Sequence, residues 1–208
     1  MSADDDFAVE PVPGLPEVPP EGEIILWQGR PSWWALAKSS VRVLWVAGYF
    51  GLLTLWRFFS VVDLMPLDLA IAASLPFVIL GLLTCALLVL FSVIQARCTV
   101  YTLTNRRVAM RIGAALTITL NLPYSKIDSA DLDLRKDGTG TIALSLQGPV
   151  RFSYLLCWPH VRPWRFHTQP ALRCIPDAER VASILSEAAE AQVSVPRVSR
   201  DPDPIAAE

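Results

Sequence analysis

From Leu69 to Ala96 the chain runs for 28 residues without a formal charge, bounded by Asp68 and Arg97. No other feature constrains the fold as much. A helix over such a run rises about 1.5 Å per residue, and roughly 20 apolar residues cross a bilayer. The alternative is a buried helical hairpin of a soluble protein, whose core helices normally keep a polar side. Pro76 lies inside the run. It either kinks the helix or opens the spanning part as a first-turn residue, which still leaves 21 residues to Ala96. A second stretch precedes it. Val43–Trp56 is uncharged, Arg57 interrupts, and Phe58–Val62 resumes the apolar run. The pattern predicts a transmembrane helical hairpin over 41–96, with spans at about 41–62 and 69–96. Arg42 and Arg57 stand near the ends of the first span, where long side chains reach the headgroups.

The link Ser60–Asp68 is short, so the spans run antiparallel and both chain ends share one side. That side carries Arg30, Lys38 and Arg42 before the hairpin and Arg97, Arg106, Arg107 and Arg111 after it. Positive charge gathers on the cytoplasmic side, which predicts cytoplasmic termini. Trp33 and Trp34 fit an interfacial aromatic belt or, equally, packing on a soluble domain. Ala47 with Gly51 and Gly81 with Cys85 place small residues four apart, a spacing that lets helices approach closely.

Composition agrees. Charged residues make up 18% of the chain, against about 25% in typical soluble domains. A net charge of −2 argues against nucleic-acid binding by bulk charge. Residues 1–23 hold seven acids, five prolines and no base, which predicts a disordered arm and no secretory signal. Residues 24–40 form a juxtamembrane Trp/Pro segment, and 192–208 a polar, disordered tail. Four cysteines without a C-x-x-C pair argue against a disulfide scaffold or zinc finger.

After Arg97 the pattern changes. Cys98–Thr104, Arg107–Ile112, Leu116–Leu122, Ile127–Leu134, Thr139–Leu146 and Val150–Leu156 read as short strands. Asn105-Arg106, Asp137-Gly138 and Gly148-Pro149 supply turns between them. Asp177–Ala191 reads as a helix with Val181, Ile184, Leu185 and Ala188 on one stripe. The expected fold is α+β: the hairpin, then over 97–191 a small antiparallel β-barrel or sandwich closed by a C-terminal capping helix.

The runs Y101-T-L-T-N-R-R-V108, R111-I-G113, N121-L-P-Y-S-K-I127 and G138-T-G-T-I142 resemble the bacterial pleckstrin-homology (PH) domain of small membrane proteins. In that family a Trp-Gly-Pro segment precedes a transmembrane hairpin, and W27-Q-G-R-P-S32 stands in that place here. The runs R151-F-S-Y-L-L-C-W-P-H160 and P163–D177 resemble a narrower group, the photosynthetic complex assembly proteins encoded with the reaction-centre H subunit in purple phototrophic bacteria. Members of that group are often described with three spans, whereas two apolar runs are present here. The resemblance implies a factor that helps assemble the reaction centre in the bacterial inner (intracytoplasmic) membrane. It implies reaction-centre polypeptides as partners, and light-harvesting polypeptides besides. Other bacterial PH-domain membrane proteins suggest the alternative of lipid sensing or envelope maintenance.

The search for chemistry points to a non-enzyme with no cofactor. His160, His167, Cys157 and Cys174 lack the paired ligand spacing of structural zinc sites, and packing is the simpler reading. Gly138-Thr-Gly140 is too short for a phosphate loop. Asp128, Asp131, Asp133 and Asp137 read as a solvated face. What remains is basic: residues 97–175 carry eleven bases against four acids. Residues 151–173 hold four arginines, two histidines and no acid, interleaved with aromatic rings. Arg151, Trp158, Arg162, Trp164, Arg165, Phe166 and Arg173 are therefore the candidate contacts to a protein partner or to anionic membrane lipids. The competing reading is a solvated arginine face over core aromatics. Exposed strand edges are compatible with a homodimer.

Overall fold

The computed structural model describes residues 14–15, 17–113, 117–148, 153–162 and 168–193. A short strand β1 (Ile25–Gly29) leads into helix α1 (Trp33–Ser39), whose N-terminus is capped by Ser32 accepting from the Ala35 amide. Arg42 turns the chain in the left-handed region, with φ of 52°, and α2 (Val43–Val61) begins at once. After a five-residue link, α3 (Leu67–Cys98) runs through Pro76 without breaking. Both α2 and α3 are long and apolar enough to cross a membrane, and little of either is buried. Gly81 sits where α3 meets α2: a Cβ there would lie 2.7 Å from the Phe50 Cβ. Gly51, by contrast, faces open space.

The rest is two antiparallel sheets and a helix. The first sheet orders β1, β2 (Val100–Thr104), β3 (Arg107–Ile112) and β4 (Ile118–Pro123). A 3-10 turn at Tyr124–Lys126 passes the chain to the second sheet. That sheet orders β5 (Ile127–Leu134), β6 (Gly140–Leu146) and β7 (Ala171–Ile175). A helical turn α4 (Tyr154–Cys157) lies between β6 and β7, and α5 (Ala178–Val193) follows. Tyr101, Leu103, Met110, Ile142, Leu144 and Leu172 meet between the sheets, and Ala178, Val181, Leu185 and Ala188 of α5 close the core. The apolar stripe expected on this helix is the one it buries, with Ile184 at its half-exposed margin.

Gly140 explains part of the G138-T-G-T-I142 run. A Cβ there would lie 2.4 Å from Ala178 Cβ, so α5 can seat on β6 only over a glycine. The T104-N-R-R107 run is a staple. Thr104 Oγ1 accepts from the amides of Arg106 (3.2 Å) and Arg107 (3.0 Å), which closes the β2–β3 turn. Asn105 holds the chain ahead of β1 by accepting from Ile24 N and donating to Gly22 O. Arg107 clamps Glu23 through two bonds of 2.9 and 3.2 Å. Burial works to raise the Glu23 pKa, but the Arg107 hydrogen bonds, aided by Thr104, bring it below its ordinary value.

Several expectations need correction. The stretch 1–23 is not wholly a loose arm. Leu15 is 1% exposed, Gly14 lies against Val100, and Glu23 is clamped by Arg107. Residues 1–13 and the tail from 194 are outside the described residues. The strand expected at Val150–Leu156 is a helical turn from Tyr154 onward, with 150–152 outside the described residues. Strands β1 and β7 and helix α1 were not anticipated. Each is only five to seven residues long and shows no extended periodicity.

Candidate functional site

The site is built where β7 meets α1 and the end of α3. β7 reads A-L-R-C-I, an apolar run interrupted by one arginine. Its register against β6 slips between Gly140 and Ile142, and Cys174 adopts φ of 55°. The slip is a β-bulge, which places two residues, Arg173 and Cys174, opposite Thr141. The Cys174 carbonyl accepts from Ser32 N at 2.7 Å, and its sulfur lies 3.1 Å from Ser39 Oγ. The N-cap and the last residue of α1 are thereby fixed to the edge of the second sheet, and Ala35, Leu36 and Cys174 pack together behind them.

Behind β7 lies a buried polar chain. Tyr101 OH accepts from the Arg173 amide at 3.2 Å and lies 2.6 Å from His160 Nδ1. The other ring nitrogen, Nε2, is 3.0 Å from Thr99 Oγ1, at the C-cap of α3. Tyr101 has one proton to give, and its oxygen already accepts from a backbone amide. The consistent assignment is Tyr101 donating to Nδ1 and the Nε2–H donating to Thr99. Burial, with the Arg173 charge adding to it, pushes the His160 pKa down to about 3, so the ring is neutral at physiological pH. With both nitrogens engaged, the ring has no lone pair for a metal. His167 is outside the described residues.

Trp158 ties the same loop to the long helix. Its ring stacks on Phe91 of α3 at 5.6 Å between centroids and 22° between planes. Half-buried in this way, it is a bracket between the β domain and α3. Arg162 reaches across the outer face of the second sheet to pair with Asp131. Arg173 is 5% exposed and donates to Pro159 O at 3.1 Å, buried at the lining of a cleft on the outer face of the sheet, whereas Arg162 is partly exposed. Arg151, Trp164, Arg165 and Phe166 are outside the described residues.

The outer face of this sheet carries a cleft of about 370 Å³, with Arg135, Arg162 and Arg173 facing Asp131 and Asp133 across Thr141. Arg135 was missed by sequence reasoning. Its neighbours Lys136-Asp137-Gly138 read as a turn, and only the pairing of β5 with β6 brings it beside Arg173. Lys38 of α1 makes a 3.6 Å ion pair with Asp137 in the β5–β6 turn. Hydrogen bonds from Thr139, with Lys38 nearby, hold the Asp137 carboxyl below its ordinary pKa.

Comparison with known proteins fits this architecture. The bacterial PH domain family matches residues 41–189, more than half of the chain and including the helical hairpin. An uncharacterised 23.7 kDa protein of the puhA 5′ region in Rhodobacter capsulatus is 42% identical over 203 residues, covering 96% of this chain and 95% of that protein. No solved structure matches the chain significantly.

Proposed function

This chain belongs to the bacterial PH domain family, and on that premise we propose that it is a membrane-anchored, non-enzymatic assembly factor of the photosynthetic reaction centre, of the PuhB type. The observation that carries the reading is the similarity over nearly the whole chain to a protein of the puhA 5′ region, a photosynthesis locus. The resemblance of residues 151–177 to the assembly proteins supports it independently of the PH-domain motifs. On this reading α2 and α3 cross the inner membrane, both termini are cytoplasmic, and the β domain stands at the membrane surface. Reaction-centre polypeptides, and light-harvesting ones with them, are the partners. The contacts of α1 and Trp158 with the β domain suit such work, because they tie a docking surface to the spans.

The test is deletion of the gene in the phototroph that carries it, followed by absorption spectra of its membranes. The expected result is a fall in reaction-centre absorption that the intact chain restores. Full reaction-centre content without the chain overturns the assembly role and favours lipid sensing or envelope maintenance. Trp164→Ala with Arg165→Ala probes the docking surface, provided membrane abundance of the variant is measured beside the spectrum.

A further inference from the structure

Arg173 holds a buried charge that the fold does not pair. A buried charge is normally paired, and a buried polar group normally has a hydrogen-bond partner. Arg173 is 5% exposed, yet its Nε has no partner and no carboxylate lies within ion-pair distance among the described residues. Arg135 lines the same cleft and donates to Thr139, Thr141 and the Cys174 sulfur, with no acid paired to it among the described residues. Arg162 is already paired with Asp131, which leaves Asp133 in the cleft against two arginines. The balance is one positive charge, which suits a single carboxylate. A carboxylate also matches a guanidinium in shape, because its two oxygens accept two parallel N–H bonds.

The chain itself carries such groups. Residues 1–13 hold Asp4, Asp5, Asp6 and Glu10 and no lysine or arginine. They join the described structure at Gly14, which lies against Val100 of β2. The next residue of the strand, Tyr101, accepts from the Arg173 amide through its hydroxyl at 3.2 Å. The arm therefore starts on one side of β2 and Arg173 lies on the other, since successive side chains of a strand point to opposite faces. Asp6 stands eight residues before Gly14. Eight residues span at most about 26–29 Å, and packed sheets lie about 10 Å apart. The segment is long enough to pass from the outer face of the first sheet to that of the second.

We propose that the cleft is a carboxylate-binding site filled by the chain's own N-terminal arm, with an aspartate of the Asp4–Asp6 run seated between Arg135 and Arg173. The three aspartates are consecutive, so the guanidinium pair can be met in more than one register. Tethering raises the local concentration of the arm to the millimolar range, so a weak contact suffices to keep it docked. Docked there, the arm masks the cleft from acidic segments of other proteins. The contact needs neither a membrane nor a partner, so it stands or falls apart from the assembly reading.

The experiment is fluorescence anisotropy of a labelled peptide of residues 1–13, titrated with the full-length chain in an uncharged detergent. The triple variant Asp4→Asn, Asp5→Asn, Asp6→Asn frees the cleft. It should bind the peptide saturably and about tenfold more tightly than the wild-type chain, whose own arm competes. A peptide carrying the same three substitutions should bind that variant about tenfold or more weakly. Arg135→Gln, added to the variant, should weaken binding of the native peptide by about the same factor. Asp133→Asn, added instead, removes a nearby negative charge and should tighten it about two- to threefold. Circular dichroism checks that each variant is folded. Equal binding by the wild-type and triple-variant chains overturns the docked arm. Equal binding of the two peptides overturns the carboxylate as the ligand. Unchanged affinity in a folded Arg135→Gln protein overturns the cleft as the site. If that protein does not fold, unchanged or weaker binding with Asp133→Asn overturns it instead. The advantage of the triple variant should be the same at every protein concentration. An advantage lost on dilution assigns the competing arm to a second copy and overturns docking in cis.

Discussion

The hairpin and the β domain handle apolar side chains in opposite ways. In α2, Trp45 is 77% exposed and Trp56 74%, and leucines stand out all along α3. In the β domain Tyr101, Leu103, Ile142 and Leu172 are wholly buried. The difference shows where each region finds its stability. The β domain gathers an apolar core of its own, so removing apolar surface from water can hold it together. The hairpin has almost no interior, and α2 and α3 are long and apolar enough to cross a membrane.

The largest expected effect tests the domain side of this contrast. Leu185 is 5% exposed in the core of α5. Leu185→Asp buries an unpaired carboxylate, at a cost of several kcal/mol, enough to unfold a marginal domain. Limited proteolysis should show rapid cleavage of the β domain. Glu187→Lys, on the exposed face of the same helix, should digest like wild type.

Leu83 tests the other side. It is exposed near the middle of α3. Leu83→Lys would be nearly silent on a helix in water, within about 0.5 kcal/mol. At the centre of a span it costs about 2.5–3.5 kcal/mol of insertion free energy. Membrane fractionation reads the difference, and a fully inserted, stable variant would break the contrast.

Packing within the hairpin should matter at one glycine and not at another. Gly81→Val drives a side chain into Phe50 and should cost about 1–3 kcal/mol, seen as a lower unfolding temperature in detergent. Gly51→Ala has open space and should leave that temperature unchanged.

The last effect is pH-dependent, small per unit of pH, and should be confined to the β domain. His160 has its pKa depressed to about 3 in the folded state. The unfolded chain therefore takes up a proton near pH 6.5 that the folded domain refuses. Stability should fall as pH drops from about 6.5 toward 3, by at most about 1.4 kcal/mol per unit. His160→Gln should flatten this part of a denaturation-versus-pH curve. A curve unchanged by the substitution would mean that the Thr99–His160–Tyr101 chain opens readily to water.

The sequence by itself determined the hairpin, the order of most strands and the capping helix, because these rest on long or periodic patterns that local physics reads directly. A run of 28 uncharged residues has few places to go. Strict alternation over Ile118–Leu122 and helical spacing over Val181–Ala188 each mark one buried face. The site was legible only in outline. The basic, aromatic stretch 151–173 marked the region, but the fate of each side chain depended on partners distant in the chain. Arg173 looked like Arg162 in sequence. Arg173 is buried, at a bulge fixed by pairing with a strand some 30 residues earlier, whereas Arg162 meets Asp131. Arg135 gained its role because β5, β6 and β7 lie side by side. α1 has no periodicity to announce it, and the bonds from Cys174 to Ser32 and Ser39 hold it in place. Local pattern sets which face of an element is apolar. Tertiary contact decides which charged groups meet, because that depends on register and on residues far apart in the chain.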